Sequence, residues 1–199
     1  MRGYIKIRKI AIEILNSKLS QKLYYHTIDH TFNVLQVINQ YIKREKLDGY
    51  NAKILRIGAL YHDIGFTVSN IDHEKKSCEI AEKYMTAYGF SKKDINSVKG
   101  IIIATKIPQN PQNYLEEIMC DADLDYLGRD DFHHLSNQLF KELKAYSDNR
   151  SIYEWNKAQI EFLESHHYHT EFAKKNRQPT KEKHIIELKL LVEKEKKGD

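Results

Sequence analysis

Apolar residues recur at intervals of three and four along almost the whole chain, while strand-like alternation is rare, so the pattern predicts helices throughout. Ile7, Ile10, Ile14 and Leu15 mark a first amphipathic helix over about residues 4–19. His30, Val34, Val37 and Tyr41 share one face of a second, about 28–46, and Asp48-Gly49 ends that region. Residues 51–64 are apolar nearly all round, which predicts a third helix central in the core, with Gly65 as its C-terminal cap. A fourth is expected over about 73–88 and a fifth over about 92–105, followed by a loop at Pro108 and Pro111. Asn113 and Glu116 read as a capping box that opens a sixth, running to about Leu127 and closed by Gly128. Ser151 and Glu154 repeat that signal before a helix through about Ser165, and a last, charged helix starts near Pro179 or Thr180.

Composition narrows the class. With 8 Gly and 3 Pro among 199 residues there are too few turn formers for a many-stranded sandwich, and Lys, Glu, Ile and Leu favour helices. A hydrophobic share of 41% suffices for a substantial core. The expected class is therefore all-α. The formal charge of +4 permits anionic ligands without calling for a specific nucleic acid. Cys78 and Cys120 have no CxxC spacing, which points to a reducing, cytoplasmic setting rather than a disulfide framework. The N-terminus shows no secretory signal and no apolar run is long enough for a membrane span. Residues 174–199 carry nine Lys and Arg against five acids, read as a solvated terminal helix, with a docking surface for an anionic partner as the alternative.

Three polar islands interrupt the apolar pattern: Tyr25-His26-Thr27-Ile28-Asp29-His30, His62-Asp63 at the end of the most apolar helix, and Asp121-Ala122-Asp123-Leu124-Asp125. Buried carboxylates and imidazoles are costly without partners, and a shared cation supplies one. Imidazole nitrogen with carboxylate oxygen suits a first-row transition metal with open water positions. His26 and His30 are four apart and can face one way: both bind metal, or His30 binds and His26 faces the substrate, the reading favoured here because a leaving oxygen needs a proton donor and histidine titrates near neutrality. Of Asp121 and Asp123, one is expected to complete the shell and the other to orient water or a ligand histidine. Asp125 is expected to be exposed or capping.

The order His30, His62-Asp63, Asp123 resembles the HD-domain superfamily of metal-dependent phosphohydrolases over about residues 24–128. The resemblance implies a single-domain helical bundle: an N-terminal helix (1–23) on the core, an HD-type metal-binding core (24–128), and C-terminal helices (129–199) completing the same domain. It selects Asp123 as ligand, because Ala122-Asp123-Leu124 matches the family's small-Asp-apolar pattern. Tyr25-His26 with His30 is also similar to the opening of the cyclic-nucleotide phosphodiesterase catalytic domain, where the first histidine protonates the leaving group. His62-Asp63-Ile64-Gly65 looks like the HDIG variant, yet no GYP motif follows and Phe66 stands where that branch carries lysine, so cyclic-di-GMP hydrolysis is not implied. The acidic pair that follows HD in guanosine-tetraphosphate hydrolases is absent too.

The resulting expectation is a hydrolase cleaving a phosphate ester of a nucleotide or similar small metabolite by attack of a metal-bound hydroxide. His30, His62, Asp63 and Asp123 would hold the divalent ion (Mn, Fe, Zn, Mg, Co or Ni). His26 would protonate the leaving oxygen and Asp121 would steer the attacking water. His73, Lys106, Arg129 and Arg177 are candidates for the phosphate, with Lys181 a further basic residue within reach if the last helix folds back. Two rivals use the same residues: a nucleotide-binding, metal-stabilised sensor without turnover, and an HD-type di-iron oxygenase, which needs two more histidines where only His73 is in place. His133-His134 and His166-His167-Tyr168-His169 are read as surface residues, and Tyr25 and Tyr61 are noted because each precedes a site histidine.

Overall fold

A computed structural model describes residues 2–198. Every regular element among them is helical, and the chain divides into two compact units, residues 1–123 and 124–199. The first contains α1 (Arg2–Lys18), α2 (Ile28–Arg44), α3 (Gly49–Tyr61), α4 (His73–Ala87), α5 (Lys92–Ala104) and α6 (Tyr114–Asp123). The second contains α7 (Phe132–Ala145), α8 (Ile152–Ser165), α9 (Glu171–Asn176) and α10 (Gln178–Gly198). No helix among the described residues is long and apolar enough to cross a membrane.

Local sequence explains where the helices begin. Thr27 caps α2 by accepting from the His30 amide, and Asp48 caps α3 by accepting from the Tyr50 and Asn51 amides at 2.8 Å each. Ser91 with Asp94 forms a full capping box on α5, and Ser151 with Glu154 forms the expected one on α8. Asn113 accepts from the Leu115 and Glu116 amides, while the Glu116 carboxylate takes the Asn113 side-chain amide and the Gln112 N–H, a variant of the predicted box.

As expected, α3 is the core of the first unit. Ala52, Ile54, Leu55, Ile57, Ala59, Leu60 and Tyr61 are all buried, and α1, α2, α5 and α6 pack around them. Each buried Ile or Leu is worth about 1.5–3 kcal/mol relative to exposure. Tyr61 serves packing: its hydroxyl donates to the Ile7 carbonyl at 2.9 Å.

Several expectations need correction. Gly65 is not a left-handed cap. It lies in a 3-10 turn, Ile64–Thr67, pressed so close to α4 that a Cβ would fall 1.9 Å from the His73 carbonyl oxygen, and its N–H donates to Ser77 Oγ at 2.8 Å. Close backbone approach, not dihedral freedom, demands glycine there. The sixth helix stops at Asp123 rather than Leu127. Asp125–Gly128 forms a separate 3-10 turn, and Gly128 abuts Arg177, whose carbonyl oxygen would lie 2.3 Å from an added Cβ.

α7 lies where no helix was assigned, although Phe132, Leu135, Leu139 and Leu143 have helical spacing. The polar pair His133-His134 at its start masked that signal. α10 starts at the expected place, and its exposed stretch beyond Leu188 fits a solvated helix, but Lys181, His184 and Leu188 are buried. His166 and Tyr168, read as surface, are buried too.

Candidate metal centre

Three stretches of the first unit deliver the cluster. The Thr27 cap starts α2 three residues before His30. The apolar α3 carries His62 and Asp63 out of its buried C-terminal end, and α6 finishes on Asp123. All four side chains are largely buried, His62 almost wholly so.

Their atoms face one another. His30 Nε2 lies 3.2 Å from His62 Nε2 and 3.2 Å from Asp123 Oδ1, and His62 Nε2 lies 3.2 Å from Asp123 Oδ1. Asp63 Oδ2 is 3.1 Å from His62 Nε2 and 3.4 Å from His30 Nε2. Metal–ligand bonds of about 2.1 Å give polyhedron edges of about 3.0 Å when octahedral and about 3.4 Å when tetrahedral. The spacing of the His30, His62 and Asp123 donors therefore fits a single ion, and Asp63 lies against both of its imidazoles.

The electrostatics fit it as well. Two carboxylates are buried here, and among the described residues no lysine or arginine lies within ion-pair distance of them. Burial opposes the charged forms of the imidazoles, yet the two carboxylates outweigh it and hold His30 above, and His62 well above, their ordinary value. Burial likewise opposes ionised carboxylates, but the imidazoles keep Asp63 well below the usual range and Asp123 at about 2. The cluster thus calls for positive charge, which either protons or a divalent cation provide. His62 Nδ1 lies 2.9 Å from the Ala59 carbonyl; donating there leaves the Nε2 lone pair for the cluster centre, the arrangement that orients metal-binding histidines.

Several rings sit around this core, Tyr25 among them with its centroid 4.8 Å from that of His30. His26, just ahead of α2, has its centroid 5.9 Å from that of His30 and stacks on Phe66 at 4.2 Å and 21°. Phe66 in turn stacks on His73 at 4.0 Å and 25°. His73 Nε2 reaches Asp63 Oδ1 at 3.4 Å, so Asp63 has one oxygen toward the core and the other toward His73. Phe66 was noticed in the sequence only as a departure from a lysine. Its role in holding two histidine rings was not legible, although an aromatic residue directly after His62-Asp63-Ile64-Gly65 was a signal.

The remaining candidates are placed elsewhere. Asp121 is fully buried on α6, and two residues along a helix turn it about 200° from Asp123, so the two carboxylates do not share a face. Lys106 is exposed, with its ammonium 2.9 Å from Asp72 Oδ1. In the second unit, Arg177 Nε donates to Asp125 Oδ1 at 2.7 Å, and Arg129 pairs with Asp131 and approaches Asp125 at 3.6 Å. Asp125, expected to be exposed or capping, is buried, accepting from Arg177 and within ion-pair distance of Arg129. Lys181 is buried against His166.

Comparison with protein families matches residues 27–126 to the HD domain, a stretch that opens at the α2 cap and takes in His30, His62, Asp63 and Asp123. Neither curated proteins nor solved structures gave a match. With half of its residues matched and the motifs converging in space, the chain belongs to the HD-domain superfamily.

Proposed function

We propose that this protein is a metal-dependent phosphohydrolase that cleaves a phosphate ester of a small metabolite, with a nucleotide as the expected substrate. HD domains are in general metal-dependent hydrolases, and the observation that carries the reading here is the convergence of His30, His62 and Asp123, with Asp63 against both imidazoles and His26 beside them. A divalent cation held by those four supplies Lewis acidity and lowers the pKa of a water.

The chain's own residues do the rest. Ala59 orients the His62 ring, and the His26–Phe66–His73 stack fixes two imidazoles on one side of the cluster. His26 presents a ring N–H to the leaving oxygen. His73, held by Asp63, contacts a phosphoryl oxygen or a second cation through Nε2. Asp121, turned away from Asp123, is left out of the proton transfers. Lys106, Arg129 and Arg177 already carry carboxylate partners and contribute less to charge offset than their sequence positions suggest.

Metal analysis of the purified protein, followed by a phosphate-release screen over nucleotides with Mn, Mg, Zn, Fe and Co, tests this. Metal content with release that disappears in His26→Ala supports the reading. Full turnover in a chelated, metal-free preparation overturns it.

A further inference from the structure

A second group of convergent donors lies in the second unit. His133 opens α7, while His184 and Glu187 lie three apart on one face of α10. Glu187 Oε2 is 2.8 Å from His133 Nε2 and 3.2 Å from His184 Nδ1, so a single carboxylate oxygen meets both imidazoles. We infer that His133, His184 and Glu187 form a second metal site, of the zinc and nickel class, that bridges α7 and α10.

Three features favour a cation over an ordinary surface ion pair. First, the donor set is two imidazoles and one carboxylate, within 4.8 Å of one another, which suits borderline transition ions and not magnesium or calcium. Second, His184 is already oriented. Its Nε2 lies 2.9 Å from the Arg129 carbonyl, and donation there places the Nδ1 lone pair toward Glu187. A lone pair facing a carboxylate oxygen at 3.2 Å is repulsive unless a proton or a metal ion lies between them. Third, the ring of His184 is locked in place. The buried Phe132 stacks on it at 4.6 Å and 16°, and His133 meets it edge-on at 5.3 Å and 76°.

Tetrahedral bonds of about 2.1 Å separate ligand atoms by about 3.4 Å. The side chains of His133 and Glu187 are about half exposed and can open by that small difference, while the largely buried His184 anchors the site. Water completes the coordination, so the ion exchanges with solvent. It fastens the first turn of α7 to a residue 54 positions further on.

Equilibrium dialysis of chelator-stripped protein against Zn²⁺, read by elemental analysis, tests the inference. Wild type should hold one equivalent more than His133→Ala and one more than Glu187→Gln. Both changes fall on exposed side chains, which keeps loss of fold out of the result. The His62→Ala variant should retain the α7–α10 equivalent, so this outcome is independent of the hydrolase reading. Identical zinc content in wild type, His133→Ala and Glu187→Gln would overturn the inference and leave a proton-bridged ion pair.

Discussion

Asp123 and Asp125 are two residues apart in the chain, and their environments are opposite. Asp123 closes α6 against two imidazole nitrogens, each 3.2 Å from one of its oxygens. Asp125 opens the next turn and is gripped by the guanidinium of Arg177, with Arg129 beside it. Both carboxylates are well buried, yet only one is neutralised by a permanent cation. Guanidinium cannot give up its proton and ends the matter of charge locally. Imidazole can, so the Asp123 cluster is able to trade protons for a metal ion, while the Asp125 cluster is an ion pair of fixed charge. A buried acid is thus a functional candidate when its partners are themselves potential ligands, and structural when they are fixed charges.

The sharpest way to break this comparison is to remove a donor on the Asp123 side. His62→Ala or Asp63→Ala should abolish hydrolysis and remove the metal equivalent held at the His30–His62 cluster, measured by phosphate release and by elemental analysis of a His133→Ala background. His26→Ala should separate the two, keeping the metal while lowering kcat by about 10²–10⁴-fold, the usual worth of a positioned general acid. An unchanged metal content in His62→Ala on that background would show that the four donors are not one site.

On the Asp125 side the expected damage is to stability. Arg177→Met leaves a buried carboxylate short of its main partner, which costs about 3 kcal/mol, partly relieved by Arg129. Urea unfolding should report that loss, with zinc or manganese content at the His30–His62 cluster unchanged. Adding Asp125→Asn to Arg177→Met should recover part of it, since no buried charge is then left unpaired.

How much of this could be read from the sequence follows the same division. The metal-type cluster was legible because its residues are chemically unusual where they stand: His62 and Asp63 end the most apolar helix of the chain, and capping signals located the starts of α6 and α8. Asp125 was not legible, because its partners are 4 and 52 residues away and nothing local distinguishes a carboxylate awaiting arginine from one in water. Gly65 was misread for a related reason. A glycine after a helix suggests a cap, and only the tertiary approach of the His73 carbonyl shows that the missing Cβ is what matters. α7 was missed because polar residues at its start interrupt the apolar spacing, and His166 because three histidines in four positions look like surface.

The smallest effect near neutrality comes from a third kind of cluster, in which two basic groups face each other. Lys181 Nζ donates to the His166 carbonyl at 2.5 Å and lies 3.3 Å from His166 Nδ1. Burial, and then the lysine charge, push His166 down to about 3, and burial pushes Lys181 down to about 8. In both cases the unfolded chain binds more protons than the folded one over a window of pH, so stability rises with pH across that window. For His166 the window runs from about 3 to its ordinary 6.5, so stability is lost on acidification through that range. For Lys181 it runs from about 8 to its ordinary 10.5, so stability is gained toward the alkaline side. Between the two windows neither group contributes a slope. Urea midpoints measured against pH should therefore show a shallower acid limb in His166→Gln and a flatter alkaline limb in Lys181→Met than in wild type. If each variant merely lowered the whole curve without changing either limb, the two groups would be ordinary packing residues, and the distinction between fixed and exchangeable charge would not extend to this end of the molecule.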